Sequence, residues 1–153
     1  KCRACEELGA DLAINYREKD WVAAVKEFAG KKGVDLVLDM VGGDYIQKNL
    51  SVLAWDGRVV NIAFLKGAKV ELNLGLFMIK RQTLTASTLR AQSDESKAII
   101  AQELKEKVWP LVTSGSVKPV IFQSFPLREV VEAHKLMESS AHIGKIMLLV
   151  KGD

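Results

Sequence analysis

The chain has 153 residues, 48% of them hydrophobic and 27% charged, which is enough for one globular domain or part of a larger one and too few for two full domains. Its net charge of +3 is spread along the sequence without a long basic block, which argues against a nucleic-acid arm or a membrane-surface patch. No apolar run is long enough to span a membrane, and "KCRACEELGAD" carries charges where a secretory leader needs an apolar segment, so a cytoplasmic protein is expected.

Residues 1–9 are rich in helix formers and stop at Gly9, before the apolar run Leu12, Ala13, Ile14, which reads as a strand. Cys2 and Cys5 fall inside that helix. Two cysteines are too few for a disulfide framework, and no second Cys or His pair completes a zinc site. Asp20 is placed to cap a helix in which Trp21, Val22, Val25, Phe28 and Ala29 recur at helical spacing until Gly30. "VDLVLDM" is apolar on both faces, as in a parallel strand covered by helices on both sides. Tyr45, Ile46, Leu50 and Leu53 then form one stripe of a helix with Asp44 at its N-cap, and "GRVVNIAF" reads as a strand opened by an Asp56-Gly57 turn.

"LGLFMIKRQ" predicts a short helix and "TLTAST" a further strand. "DESKAIIAQELKEKVWPLVTSG" predicts a long amphipathic helix with Asp94 as its cap and Pro110 as a local disturbance. "KPVIFQSFPL" reads as extended, "REVVEAHKLMESS" as a helix and "GKIMLLVKGD" as a terminal strand, without internal repeats. Alternating helices and strands with short connections predict a doubly wound parallel sheet.

Such sheets bind ligands outside the carboxyl ends of their strands. That rule selects Val41 and Gly42 after the first long strand, Ala63, Phe64 and Leu65 after "VVNI", and Leu89 and Arg90 after "LTAST". The G-x-G-x-x-G turn that cradles a pyrophosphate does not occur, and Gly42-Gly43 lacks the third glycine. Asp39 and Asp44 are too far apart across a turn to be read as an acid/base pair. His134 shares a helix with Val130, Val131 and Met137 and reads as packed or capping.

Taken in order, "CRACEELGADLAINYREKDW", "GVDLVLDMVGGDYIQKNLSVLAWDGRVVNIAF", "LTASTLRAQ" and "FPLREVVEAHKLMESSAHIGKIMLLV" resemble the C-terminal half of quinone oxidoreductases. These belong to the medium-chain dehydrogenase/reductase superfamily, related to zinc alcohol dehydrogenases. The resemblance implies an α/β fold, a partial Rossmann doubly wound parallel sheet whose strands 1 and 2 and glycine fingerprint lie upstream of Lys1. Residues 1–117 would then belong to an NADP-binding domain, and 118–153 to a segment returning to a GroES-like catalytic domain. In the sheet order 3-2-1-4-5-6 the upstream strands sit between residues 12–14 and the strand "VDLVLD". Their absence leaves apolar strand edges to be closed by rearranged pairing, by another copy or by the rest of a longer chain.

The resemblance also implies site residues. Lys1 would pair with the 2′-phosphate of NADPH and Tyr16 would meet the adenosine end, roles that suit an ammonium and an aromatic ring. The segments at residues 63–65 and 89–90 would flank the nicotinamide and its ribose, and His142 would lie near the cofactor. Phe64 departs from the small residue expected at its place. The implied activity is NADPH-dependent hydride transfer to a quinone or an α,β-unsaturated carbonyl, with NADP(H) as cofactor, no zinc in this branch and no catalytic residue in these 153. A homodimer through the "TLTAST" edge strand is implied, without membrane or nucleic-acid partners, and the chain alone is expected to be inactive. A zinc-type alcohol dehydrogenase or enoyl reductase of the same superfamily, and a non-catalytic nucleotide-binding, RNA-binding or structural protein, are the alternatives.

Overall fold

The computed structural model describes residues 1–150, so the last three positions of the expected terminal strand lie outside the described residues. Two compact units form: residues 12–93, and residues 1–11 together with the chain from 94 onward. This boundary follows compactness, whereas the division at 117/118 follows the architecture of relatives and stands as a proposal.

Helix α1 (Cys2–Glu7) runs out at Leu8, and Gly9 takes the left-handed φ of +104° that a glycine adopts at little cost. In the unit of residues 12–93, α2 (Trp21–Ala29) starts where the Asp20 carboxylate accepts from the Val22 and Ala23 amides at 2.9 and 3.3 Å. Gly30, with φ +62°, ends it. Strand β1 (Val34–Asp39), helix α3 (Tyr45–Val52), strand β2 (Leu53–Asn61), helix α4 (Leu74–Ile79) and strand β3 (Thr83–Ala86) follow, and the strands form one parallel sheet in the order β1-β2-β3.

Parallel register sets which side chains share a face. Val37, Val59 and Leu84 form one row, and Asp39, Asn61 and Ala86 the next row on the same face. The core lies there: Leu50 from α3 packs with Leu53 and Val59, flanked by Val34, Val37, Leu72 and Phe77. On the opposite face Leu36 and Leu38 are 63% and 68% exposed, so β1 is covered on one side and not on both as its sequence predicts. An apolar run states what a strand tolerates. It does not supply the second layer.

Three further expectations are corrected. Residues 12–14 do not form a strand, because a strand exists only through a hydrogen-bonded neighbour and β1 is an edge of the sheet among the described residues. No rearranged pairing closes that edge. The expected Asp56-Gly57 turn is instead an irregularity inside β2, where the register jumps from Val34↔Leu53 to Leu36↔Arg58. Asp56 sits at φ +58°, and its carboxylate receives the Arg81 guanidinium at 2.9 and 2.6 Å. Asp44 occupies the N-cap position of α3 but makes no capping bond; its backbone is already helical and its carboxylate pairs with Lys48 at 2.6 Å.

In the other unit, α5 (Asp94–Glu103) begins with Asp94 as its first helical residue, continues through a π-helical turn (Leu104–Val108) and resumes as α6 (Trp109–Thr113). Proline has no N–H and its ring crowds the preceding turn, and the wider π turn lies directly upstream of Pro110. Strand β4 (Ile121–Pro126), helix α7 (Val130–Ser139) and strand β5 (Lys145–Leu149) form a second motif with β4 and β5 parallel. His134 is exposed on α7, not packed.

Leu50→Ala removes the centre of the core of residues 12–93 and is expected to cost roughly 2–5 kcal/mol. Urea unfolding should show the loss as a lower midpoint at unchanged slope, whereas Leu36→Ala on the open face should change the midpoint little.

Candidate functional site

The carboxyl ends of β1 and β2 carry two loops that are joined along their length. The Ile62 amide donates to the Asp39 carbonyl at 2.8 Å, Leu65 to Met40 at 3.2 Å, Lys66 to Val41 at 2.7 Å, and Gly43 to Gly67 at 2.9 Å. Four backbone bonds therefore tie residues 39–43 to residues 62–67, which brings Val41 and Gly42 together with Ala63, Phe64 and Leu65. Tyr45 braces the assembly from α3. Its ring stacks on Trp21 at 5.5 Å, and the Lys66 ammonium lies 4.7 Å from the ring centroid.

The two glycines serve this joining. A Cβ on Gly42 would lie 2.9 Å from the Gly67 carbonyl oxygen and 2.9 Å from Phe64 Cδ1, and one on Gly43 would lie 2.9 Å from the Lys66 carbonyl oxygen. Both have positive φ, +68° and +56°. The space beside Gly42-Gly43 is filled by the chain's own second loop, so it is not an open cradle for a phosphate. What the edge exposes is apolar: Met40, Ile62, Phe64 and Leu65 are each about half exposed or more. A cavity of about 240 Å³ opens beside Phe64, lined also by Ile46, Asn61, Val70, Leu84 and Thr85.

Beneath the loops lies a polar pair that sequence reasoning passed over. Asp39 is 5% and Asn61 2% exposed. The Asp39 carboxylate accepts from the Val41 amide at 2.7 Å, the Gly42 amide at 3.1 Å and Asn61 Nδ2 at 2.8 Å. The available signal was a polar residue closing each of two strands, Asp39 after Leu36-Val37-Leu38 and Asn61 after Val59-Val60.

Leu89 and Arg90 follow β3 as exposed residues, and Tyr16 is 62% exposed in a turn between residue 12 and α2. Lys1 and His142 belong to the other compact unit. Lys1 Nζ donates to the Ser140 carbonyl at 2.6 Å. His142 sets its ring edgewise to Phe122 at 6.5 Å and buries Nδ1 without a hydrogen-bond partner. On α3, the hydrogen bond from Lys48 holds the Asp44 carboxyl below its ordinary range and raises Lys48 in turn. The stabilising effect of a lowered carboxyl is present at neutral pH and is lost as the pH falls through that lowered value.

The zinc-binding dehydrogenase family model matches residues 8–148. The chain belongs to this family. Among curated relatives, it is 30% identical to human quinone oxidoreductase over 93% of the chain and 31% identical to quinone oxidoreductase 1 of Escherichia coli over 97%. It is also 31% identical over 97% of its length to 2-haloacrylate reductase of a Burkholderia species. The chain spans 42%, 46% and 45% of these relatives, respectively. Among solved structures, the E. coli quinone oxidoreductase complexed with NADPH superposes with a TM-score of 0.77 at 31% identity, over 97% of this chain and 46% of that one. A 2-haloacrylate reductase superposes with a TM-score of 0.79 at 29% identity, over 98% and 47%.

The described residues of this zinc-binding dehydrogenase chain include no group of three or more His, Cys, Asp or Glu placed to hold a metal ion. They fit one part of a dinucleotide, an apolar edge at the strand ends. They do not fit its pyrophosphate, because the paired glycines Gly42 and Gly43 are buried against the second loop.

The joined loops give a direct comparison of two glycines. Gly42→Ala meets both positive φ and a contact of 2.9 Å with backbone, whereas Gly67→Ala, at φ +104°, meets nothing within 4 Å. Thermal unfolding should place Gly42→Ala at least about 1–3 kcal/mol below the parent and below Gly67→Ala.

Proposed function

We propose that the chain forms the nicotinamide-facing part of an NADPH-dependent oxidoreductase that reduces a quinone or a related α,β-unsaturated carbonyl by hydride transfer. The observation that carries this reading is the joined loop pair with its exposed apolar edge, in a chain whose relatives are named quinone oxidoreductases and 2-haloacrylate reductase. Quinone and acrylate share a carbonyl conjugated to a carbon–carbon double bond, and that is the substrate class proposed.

NADPH, when bound, supplies the hydride. The chain's own residues bind and orient. Phe64 and Leu65 present apolar surface that packs on a planar ring and keeps water from its face, with Val41, Gly42 and Ala63 setting the backbone beneath them. Leu89 and Arg90 extend the edge after β3, where the guanidinium provides a planar fork of donors. Tyr16 offers an exposed ring for the adenosine end. Lys1 meets the 2′-phosphate by exchanging the neutral Ser140 carbonyl for a charged acceptor, a stronger partner for an ammonium. His142, in the other compact unit, is a further candidate for the cofactor, with its Nδ1 buried. No side chain here is assigned as a proton donor, and no zinc enters the reading.

The oligomer belongs to the same proposal. Strand β3 is an edge of its sheet, and all four of its residues are exposed. Pairing with the same strand of a second copy satisfies its free backbone groups. No helix among the described residues is long and apolar enough to cross a membrane. A cytoplasmic homodimer acting on a small molecule fits this reading.

Two measurements test it. Nicotinamide fluorescence during titration of the chain should show saturable binding, tighter for NADPH than for NADH, and Lys1→Ala should remove about tenfold of that preference. Saturation by neither nucleotide overturns the cofactor reading. Sedimentation of Ala86→Pro, which removes a backbone donor on the open edge of β3, should show a monomer where the parent is a dimer; an unchanged dimer assigns the interface elsewhere.

A further inference from the structure

We propose that Asp39 and Asn61 are positioning residues, a buried clamp that sets the path of both loops at the proposed cofactor edge. The inference rests on the cofactor reading above. It starts from the three donors around Asp39. Two of them are consecutive amides of the loop itself, at Val41 and Gly42, and the third is the side chain of Asn61 on the neighbouring strand. A buried carboxylate left without donors is strongly unfavourable, so the loop amides must turn back to meet it. The position of the carboxylate therefore dictates the path of residues 40–42.

The orientation of Asn61 follows from the same pairing. A carboxylate surrounded by donors accepts and does not donate, so the amide nitrogen of Asn61 must face it and the amide oxygen must turn away. Asp39 and Asn61 are register partners on adjacent parallel strands, which holds their side chains on one face. Asn61 also contributes to the wall of the cavity beside Phe64. One charge thus fixes the first loop through its amides and orients the side chain at the start of the second.

From there the displacement has nowhere to dissipate. The four backbone bonds between residues 39–43 and 62–67 transmit the position of one loop to the other, and the second loop lies so close to Gly42 that a Cβ there would meet it at 2.9 Å. Both clamp residues are almost wholly buried, so their effect on a bound nucleotide runs mainly through Val41, Phe64 and Leu65, with Asn61 reaching only the cavity wall.

The test uses the full chain with Asp39→Asn, Asn61→Ala and the exchanged pair Asp39→Asn/Asn61→Asp. Amide hydrogen exchange, thermal unfolding and NADPH titration are measured on each. Asp39→Asn turns one acceptor into a donor facing the loop amides. Protection at Val41 and Gly42 should fall at least about tenfold, and NADPH should bind about tenfold more weakly. The exchanged pair restores a cross-strand hydrogen bond while leaving a loop amide opposite a donor. It should recover thermal stability without recovering loop protection or affinity.

Recovery of all three properties by the exchanged pair overturns the proposal, because strand pairing alone would then explain both residues. NADPH binding by Asp39→Asn equal to the parent, despite lost protection, also overturns it. Should Asp39→Asn fail to fold, Asn61→Ala decides: faster exchange at residues 63–65 with weaker NADPH binding supports the clamp, and parental values sink it. A parent chain that protects both amides but binds no NADPH overturns the cofactor reading, and the clamp's role toward a cofactor falls with it.

Discussion

A carboxylate buried at the end of a strand is the constraint from which the geometry of this edge follows. Asp39 is surrounded by two loop amides and the Asn61 amide, and all three distances lie between 2.7 and 3.1 Å. Removing such a group from water is unfavourable by several kcal/mol unless its lone pairs are satisfied. The loop after β1 satisfies them by folding back over its own strand end. Everything above it, from the ladder between the loops to the exposure of Phe64 and Leu65, is arranged on that base.

The glycines are understood through the same geometry. In a dinucleotide fold, paired glycines after a strand suggest close approach of a phosphate. Gly42 and Gly43 do permit a close approach, but the approaching group is the chain's own backbone at Phe64, Lys66 and Gly67. Two glycines at positive φ let two loops stack at a separation no side chain would allow. The result is a shelf made of two hydrogen-bonded loops. Phe64 and Leu65 remain at the surface beside it.

The two compact units differ in how far they are finished by their own residues. The unit of residues 12–93 buries one sheet face under α3 and leaves Leu36 and Leu38 open on the other. Its β1 and β3 edges are unpaired among the described residues. The other unit holds a compact β4-α7-β5 motif, while the broken helix of α5 and α6 leaves Ile100, Leu104 and Leu111 about half exposed. The chain spans 42% to 46% of the length of these relatives.

Much of the fold was legible in the sequence, since helix stops and apolar periodicity are local properties. Asp20 caps α2, Gly30 ends it, and β1, α3, β3 and α7 fall where their patterns place them. The strand ends selected Val41, Gly42, Ala63, Phe64, Leu65, Leu89 and Arg90 by a rule of topology, and the family match over residues 8–148 covers most of the stretches on which the resemblance to quinone oxidoreductases rested. What failed was non-local. Residues 12–14 have strand composition without a pairing partner, and Asp56-Gly57 has turn composition inside a strand pinned by Arg81. Asp39 and Asn61 stand 22 residues apart, and nothing in the sequence pairs them. Only the parallel register makes them neighbours, because hydrogen-bond partners distant in sequence are chosen by the sheet and not by the residues themselves.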